Sequence, residues 1–293
     1  MPNFQVNMSF EAIGPKESRN LPGIIFLHEI AFCKETWKLC LKPIADATGR
    51  MVVAYDTRNH GDSGWITNLS YESMMEDLKN IMEHLHMPKA VLVGHGMGGK
   101  TAMEFALKFP DLVEKIVVED MSLKYQNGGE NDFCMKYFEL LTESLNHIPP
   151  HIKDLENAKE FLASYIQQRI PEEYRGDKKG EITKAMMPLE IDSLSGKFEW
   201  KLHLKLFEYS VKNAFEAGPE LGGFRVFKYE GEYQGPALFL CGSRSPYKVL
   251  KDKDFIVSYL KNATFKEIEG GGHLLHIDFP EKFCEEVAQF INT

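Results

Sequence analysis

Residues 91–103, VLVGHGMGGKTAM, constrain the fold more than any other part of the sequence. An apolar run typical of a buried strand leads into closely spaced glycines, and a segment of helical periodicity follows. Glycines accept backbone angles that other residues avoid, so this spacing allows a tight turn directly into a helix. The segment therefore predicts a strand, a sharp turn and a helix packed closely together, as in sheets of alternating strands and helices.

The same segment matches two nucleotide-binding motifs. From Gly94 it fits G-x-x-x-x-G-K-T, a phosphate-binding loop, with Asp120 available for magnesium at the end of the next predicted strand. It also fits G-x-G-x-x-G, a dinucleotide motif, with Glu119 and Asp120 about 25 residues further on. No switch or sensor segment supports the first match, and no second nucleotide-binding half supports the second. Both are the weaker interpretations.

Strand-like and helix-like segments alternate along most of the chain. The alternation predicts an α/β fold with a mostly parallel central sheet and helices on both faces. Strands are predicted at residues 4–13, 23–27, 51–55, 90–93, 115–118, 237–240 and 264–268, and helices at residues 34–47, 71–85, 97–109, 255–260 and 280–291.

The alternation stops between about Ser122 and Gly235, where three segments have helical spacing and no strand-like partners. The expected organisation is a core formed by residues 1–121 and 234–293, with an all-helical cap insertion at residues 122–233. In a sheet enzyme we expect such an insertion to lie over the carboxyl ends of the strands, where ligands bind.

Charge and cysteine content exclude several classes of protein. The net charge of -9 argues against a nucleic-acid partner, because phosphate binding relies on clustered Lys and Arg. The five cysteines are widely spaced and indicate neither a disulfide framework nor a zinc site. No run approaches the roughly 20 apolar residues of a transmembrane helix. The first residues resemble neither a signal peptide nor a transit peptide, so the expected location is cytoplasmic.

Four loops decide between the interpretations of the glycine-rich segment. FLHEIAF, YDTRNHGDSG and GHGMGGKTAM each follow a predicted strand, and EGGGHLLHIDFP lies between the last strand and the final helix. In that order they resemble the α/β-hydrolase fold. Together with GPALFLCGSRSPY they resemble, from about Pro22 to the C-terminus, the family of α/β-hydrolase domain-containing protein 11 and its bacterial esterase relatives.

The resemblance implies hydrolysis of carboxylic esters of acyl lipids or small acyl groups. It implies no metal and no cofactor, a helical cap inserted after the sixth strand, and mitochondria as an alternative location. The strand-to-helix turn of that family reads G-H-S-M-G-G-K-T, so its members match the phosphate-loop motif by coincidence. In this sequence Gly96 stands where the family has its nucleophilic serine.

The resemblance also implies the other members of a catalytic triad. His273, in the glycine-rich loop after the last strand, is the expected general base, and Asp120 is the expected acid that orients it. Alternatives are a loop role for His273, a base at His276, and a salt-bridge or capping role for Asp120. The side chains of NHGDSG, residues 59–64, are expected to stabilise a turn rather than to react.

The oxyanion hole is expected to consist of two backbone N–H groups, those of Ile30 and Met97. Relatives have a glycine at position 29, whereas this chain has Glu29, which places negative charge close to the expected oxyanion. Two departures in one catalytic site, Gly96 and Glu29, predict a member that is hydrolytically impaired or inactive and retains a hydrophobic ligand pocket.

Two alternatives stay open at this point. The chain could hydrolyse esters with another nucleophile, Cys33 or Ser122, or with a water molecule activated by His273. It could also be a binding or scaffold protein, whose cap engages a protein partner. In the scaffold alternative the pocket is closed, whereas otherwise the expected small-molecule partner is an acyl ester or another hydrophobic ligand.

Overall fold

A mostly parallel sheet forms the centre of the molecule. The computed structural model describes residues 6–15, 21–67, 69–124, 129–171, 187–207, 209 and 229–293. Within these residues the strands are β1 (Phe10–Ile13), β2 (Gly23–Leu27), β3 (Val52–Tyr55), β4 (Ala90–His95), β5 (Val113–Glu119), β6 (Leu189–Ile191), β7 (Phe198–Trp200), β8 (Tyr233–Gly242) and β9 (Leu260–Ile268). The sheet has the order β1-β3-β2-β4-β5-β8-β9, and only β1 runs antiparallel to its neighbour.

Helices connect successive strands across both faces. They are α1 (Lys38–Thr48), preceded by a 3₁₀ turn at Lys34–Trp37, α2 (Tyr71–His84), α3 (Met97–Lys108), α4 (Gly129–Ser144), α5 (Leu155–Gln167), α6 (Lys253–Tyr259), α7 (Leu275–Asp278) and α8 (Pro280–Asn292). Further 3₁₀ turns lie at Pro110–Leu112, Leu145–His147 and Val249–Asp252. No described helix is both long and apolar enough to cross a bilayer.

The sheet separates two apolar layers, because successive side chains of a strand point to opposite faces. On one face Ile25 of β2 belongs to a layer with Phe105 of α3. On the other face Ile24 belongs to a layer with Trp37 and with Phe283 of α8. Strands buried on both faces are continuous apolar runs, which is why the sequence reveals them so clearly.

The predicted fold class is confirmed, and most predicted elements differ from the observed ones by a few residues at their ends. The first strand is the exception. It was expected at residues 4–13, but residues 4 and 5 lie outside the described part of the chain and the strand begins at Phe10.

The chain between β5 and β8 contains α4, α5 and a short antiparallel hairpin formed by β6 and β7. The expectation of an all-helical insertion is therefore wrong. Leu189 pairs with Trp200 and Ile191 with Phe198, and Gly196 makes the turn with a φ of 68°. The Trp200 indole N–H donates to the Leu141 carbonyl at 2.8 Å, joining the hairpin to α4. In the described residues, five sheet strands precede this segment in the chain.

The strand order changes direction between β2 and β4. From β2 the chain runs to β3 on one side and then returns to β4 on the other side. Such a switch point opens a crevice at the carboxyl ends of the two strands, the usual ligand site of an open parallel sheet. The loop after β2 begins with His28 and Glu29, and the turn after β4 is formed by Gly96.

Candidate active site

The turn at Gly96 is the tight strand-to-helix elbow that the sequence predicts. Gly96 has a φ of 50° and a ψ of -115°, a conformation that favours glycine. A Cβ atom on Gly94 would overlap the Gly98 carbonyl, and one on Gly98 would overlap the Leu27 carbonyl of β2. The glycines therefore allow β4, α3 and β2 to pack against one another at this point.

The residues that complete the phosphate-loop motif are turned into the protein. The Lys100 ammonium group is buried and donates to the Leu123 carbonyl at 2.5 Å. The Thr101 hydroxyl donates to the Met97 carbonyl at 2.9 Å, within its own helix. Glu119, one of the two acids of the dinucleotide interpretation, is fully buried and pairs with His276, and the other, Asp120, pairs with His273. These contacts leave the nucleotide motifs as coincidences of sequence.

His273 and Asp120 lie in direct contact beside the elbow. His273 Nδ1 donates to Asp120 Oδ2 at 2.8 Å, and the imidazole stacks on the Tyr247 ring with 4.2 Å between centroids. The glycine-rich loop that carries His273 is joined to the loop after β8, because the Arg244 N–H donates to the Gly271 carbonyl at 2.9 Å. The two residues predicted as base and acid are thus 153 positions apart and adjacent in space.

Asp120 is held in place from several directions. Its φ of 46° lies in the left-handed region, and its N–H donates to the Leu240 carbonyl at 2.9 Å. Its carboxylate also accepts from the Gly242 N–H at 3.2 Å and from the Ser245 hydroxyl. A strained backbone persists where the surroundings over-determine it, and such places are often functional. These bonds leave Asp120 Oδ2 fixed against His273.

The Glu29 carboxylate fills the predicted oxyanion hole. Glu29 Oε1 accepts from the Ile30 N–H at 2.5 Å and from the Met97 N–H at 3.0 Å. Those are the two donors expected to stabilise an oxyanion. The other oxygen, Oε2, lies where a Cβ atom on Gly96 would be and 3.5 Å from His273 Nε2. One side chain therefore occupies the predicted oxyanion hole and the position that a side chain at residue 96 would take.

The loop that carries Glu29 is anchored by two buried histidines. His28 Nδ1 donates to the Glu29 carbonyl at 2.8 Å, while His28 Nε2 accepts from the Thr57 N–H at 3.0 Å. His60 Nε2 accepts from the N–H of Ala31, whose φ is 63°. The turn closes with the Phe32 N–H donating to the Glu29 carbonyl at 3.1 Å. These hydrogen bonds fix the backbone from which the Glu29 side chain extends.

Glu29 and His273 each stabilise the charged form of the other. Burial alone would raise the pKa of Glu29, but the hydrogen bond and charge of His273 and the Met97 N–H lower it. Burial disfavours a charged His273, yet its bonds to Asp120 and Glu29 outweigh this and raise its pKa to about 10. At neutral pH the site therefore holds a Glu29 carboxylate against a His273 imidazolium.

His276 and His95 lie next to the candidate triad but make different contacts. His276 is fully buried, with Nδ1 2.8 Å from the Glu119 carboxylate and Nε2 2.9 Å from the Thr36 hydroxyl. Both of its ring nitrogens are therefore engaged by Glu119 and Thr36. Burial lowers the pKa of His95 to about 3, so its ring is neutral. Among the described residues neither His95 ring nitrogen has a hydrogen-bond partner.

Three groups of side chains have possible metal-ligand atoms within 4.8 Å of one another. They are Glu29, His95 and His273; His95, Glu119 and His276; and Cys33, Glu35 and Asp56. In each of the first two groups the carboxylate already pairs directly with a histidine, at 3.5 Å for Glu29 and 2.8 Å for Glu119. The expectation that the protein needs no metal stays a prediction.

The other proposed nucleophiles lie in settings that do not activate them. Burial raises the pKa of the Cys33 thiol well above its ordinary value, which keeps it protonated. The Ser122 hydroxyl donates to Asp252 at 2.8 Å. In residues 59–64, the Ser63 hydroxyl donates to the Asp56 carbonyl at 2.6 Å, and Asp62 pairs with Lys34 at 3.1 Å. These are contacts that stabilise loops.

Comparisons with known proteins agree with this geometry. A family model described as the alpha/beta hydrolase fold matches residues 24–139. The chain is 31% identical to the sn-1-specific diacylglycerol lipase ABHD11 of Mus musculus, over 92% of this chain and 81% of that protein. The chain belongs to the α/β-hydrolase family.

Two further relatives carry esterase names. A putative esterase/lipase of Haemophilus influenzae is 27% identical over 98% of this chain and 88% of that protein. The solved structure of a marine microorganism esterase superimposes with a TM-score of 0.76 at 26% identity, covering 97% of this chain and 99% of that one. The predicted resemblance to the ABHD11 group of hydrolases is therefore confirmed.

Proposed function

We propose that this chain is an α/β hydrolase that has lost serine-type ester hydrolysis and retains a site for a neutral hydrophobic ligand. The observation that carries the proposal is the position of Glu29, whose carboxylate accepts from both the Ile30 and the Met97 N–H groups. With that carboxylate in place, neither of these two N–H groups can receive the developing negative charge of an ester carbonyl.

The absence of a hydroxyl at position 96 supports the same conclusion. Removing the serine of a catalytic triad typically reduces turnover by about a million-fold, and the residual rate depends largely on the oxyanion hole. Here the hole is occupied as well. Negative charge at Glu29 would also repel an oxyanion, so the two departures act against the same step.

A buried apolar cluster that includes residues of the site supports a hydrophobic ligand. Phe32, from the loop after β2, and Met97, the first residue of α3, pack in one apolar cluster with Phe138 and Leu141 of α4 and with Leu162 of α5. We call this group of five residues the cap cluster. Ligand sites are mostly apolar with a few polar groups that fix orientation. An anionic head group would meet the Glu29 carboxylate, so the expected ligand is uncharged.

Turnover of p-nitrophenyl esters of several chain lengths tests the proposal. We expect the wild-type rate to be about a thousand-fold or more below that of an active relative, as for a triad enzyme without its nucleophile. A rate near the relative's that falls when His273 is replaced would overturn the loss of activity. A rate near the relative's that does not depend on His273 would overturn the triad assignment.

Restoring the serine gives a second, sharper test. A serine side chain at position 96 would overlap Glu29 Oε2, so we expect Gly96→Ser alone to react poorly with a fluorophosphonate probe. The double variant Gly96→Ser with Glu29→Gly should be labelled, because it frees both the position and the oxyanion hole. Adding His273→Ala should abolish labelling again. Strong labelling of the single variant would contradict the proposed role of Glu29.

A further inference from the structure

The geometry points to a second chemistry: we propose that Glu29 is a carboxylate nucleophile that opens an epoxide, forming an ester that His273 and water then hydrolyse. The inference rests on the proposed function, because Glu29 can reach this position only while no serine occupies the elbow. The Glu29 carboxylate then has two roles: it keeps an ester out of the oxyanion hole, and it attacks a saturated carbon atom of the epoxide.

Glu29 has the two properties that a carboxylate nucleophile needs. Oε1 is held by the Ile30 and Met97 N–H groups, so the carboxylate cannot rotate away, and Oε2 lies in the place of the missing nucleophile. Its side chain is 13% exposed, which leaves part of it accessible to a ligand. Carboxylates form covalent intermediates in several enzyme classes, so the residue type is suitable.

Attack on a saturated carbon suits this carboxylate better than attack on an ester. At an ester, Glu29 would form a mixed anhydride through a second oxyanion, and the Ile30 and Met97 N–H groups already bind its own Oε1. Displacement at a saturated carbon creates no oxyanion at the reacting carbon. Glu29 Oε2 forms a bond to the epoxide carbon, and the carbon–oxygen bond of the ring breaks.

The proton between Glu29 and His273 favours an epoxide among such electrophiles. The opened ring leaves an alkoxide, which takes the proton of His273 Nε2, 3.5 Å from Glu29 Oε2 in the resting site. The products of this step are a hydroxyalkyl ester of Glu29 and a neutral His273. An alkyl halide, in contrast, would leave without a proton, and His273 would stay protonated and unable to act as a base.

The second step uses the same residues and regenerates the site. Neutral His273, oriented by Asp120, takes a proton from water, and the resulting hydroxide adds to Glu29 Cδ. The negative charge then develops on Oε1, where the Ile30 and Met97 N–H groups already donate. Collapse expels the diol alkoxide, which is protonated by His273. The new Glu29 carboxylic acid returns its proton to His273, so the net reaction adds one water to one epoxide.

The experiment uses the full chain and 1,2-epoxyhexane. We expect the wild type to form the diol. In His273→Gln, 1-bromohexane should accumulate an adduct of one hexyl group, mapped by peptide mass spectrometry to Glu29, because bromide leaves without a proton and loss of the general base slows hydrolysis of the ester by about 10²–10⁴-fold. Glu29→Gln, of the same shape, should give neither adduct nor diol. Glu35→Gln is the control, because it changes a partly exposed carboxylate in the 3₁₀ turn at Lys34–Trp37. It should behave as the wild type does.

Oxygen tracing separates a nucleophile from a general base. In a single turnover in H₂¹⁸O, we expect the heavy oxygen in Glu29 and not in the diol. Heavy oxygen in the diol at the first turnover would overturn the covalent step. So would an adduct on another residue, or no adduct in a His273→Gln variant that unfolds cooperatively at the wild-type temperature.

A second probe and an ester assay separate the remaining outcomes. We expect 1-bromohexane to alkylate Glu29 with turnover slower than that of the epoxide. Turnover of the bromide without turnover of the epoxide would overturn the assignment to epoxides. If the protein turns over neither epoxides nor esters, this inference is wrong and the proposed function stands. Rapid turnover of p-nitrophenyl butyrate would overturn the proposed function.

Discussion

At the scale of single residues, the pair formed by Glu29 and His273 sets the pH dependence of the site. Because the pKa of His273 is raised to about 10, its contribution to stability is complete below its ordinary value of 6.5 and is lost as pH rises through 10. Because the pKa of Glu29 is lowered, its contribution is present above its ordinary value of 4.5 and is lost as pH falls through the lowered value. The pair is therefore most stabilising at mildly acidic pH, between the ordinary pKa values of 4.5 and 6.5.

We expect Glu29→Gln to destabilise the protein most between pH 5 and 6.5, and to do so progressively less as the pH is raised toward 10. Urea unfolding at a series of pH values measures the difference in the free energy of unfolding. For the control Glu35→Gln the difference should stay level over this range, because the pKa of its partner Lys34 is raised and Lys34 keeps its charge. An equally level profile for Glu29→Gln would contradict an ion pair with His273.

The residues that the sequence suggests for a catalytic site lie together in the structure, but the hydrogen bonds of the Glu29 carboxylate were not predicted. Glu29 was expected to place charge near the oxyanion, and Ile30 and Met97 were expected to donate to a substrate. In the structure they donate to Glu29. The direction of a side chain depends on the packing around its loop, here on His28 and His60, and a motif does not encode it. The pairing of Glu29 with Met97 also spans 68 positions of sequence.

At the scale of elements, the elbow between β4 and α3 was predictable because its glycines have a steric reason that is local. The hairpin β6–β7 was not, since its two strands have three residues each and lie in a region of helical periodicity. Asp120, which follows β5, was predictable from its place at the end of a buried strand. Its left-handed φ of 46° was not, because even Asp, which tolerates such an angle better than most residues, usually adopts a negative φ.

The close approach of α3 to β2 gives a prediction at this scale. A Cβ atom on Gly98 would overlap the backbone carbonyl of Leu27, so Gly98→Ala must push the helix from the sheet. Overpacking of this kind costs about 1–3 kcal/mol, and more where the neighbour is backbone. Gly49→Ala, at a helix end with a φ of 65° and no atom within 4 Å, should cost only about 1 kcal/mol. Thermal unfolding compares the two, and an equal loss would contradict the tight elbow.

At the scale of the whole molecule, the site is formed where the core meets the segment between β5 and β8. The domain limits predicted from sequence, a cap at residues 122–233 on a core of residues 1–121 and 234–293, stay a proposal, which the cap cluster supports. That cluster joins Phe32 and Met97 of the core to Phe138, Leu141 and Leu162 of α4 and α5. Because the cap cluster is apolar and Glu29 is negatively charged, the site should bind neutral ligands in preference to anions.

This selection can be measured with a fatty acid. Dodecanoate would bring its carboxylate toward the Ile30 and Met97 N–H groups, which Glu29 already occupies. We therefore expect dodecanoate to leave the melting temperature of the wild type unchanged and to raise that of Glu29→Ala, since a ligand at 100 times its Kd stabilises by about 2.7 kcal/mol. Glu35→Ala, which leaves the hole occupied, should respond as the wild type does. Equal stabilisation of the wild type and Glu29→Ala would mean that Glu29 does not exclude anions, and that acyl ligands bind without the oxyanion hole.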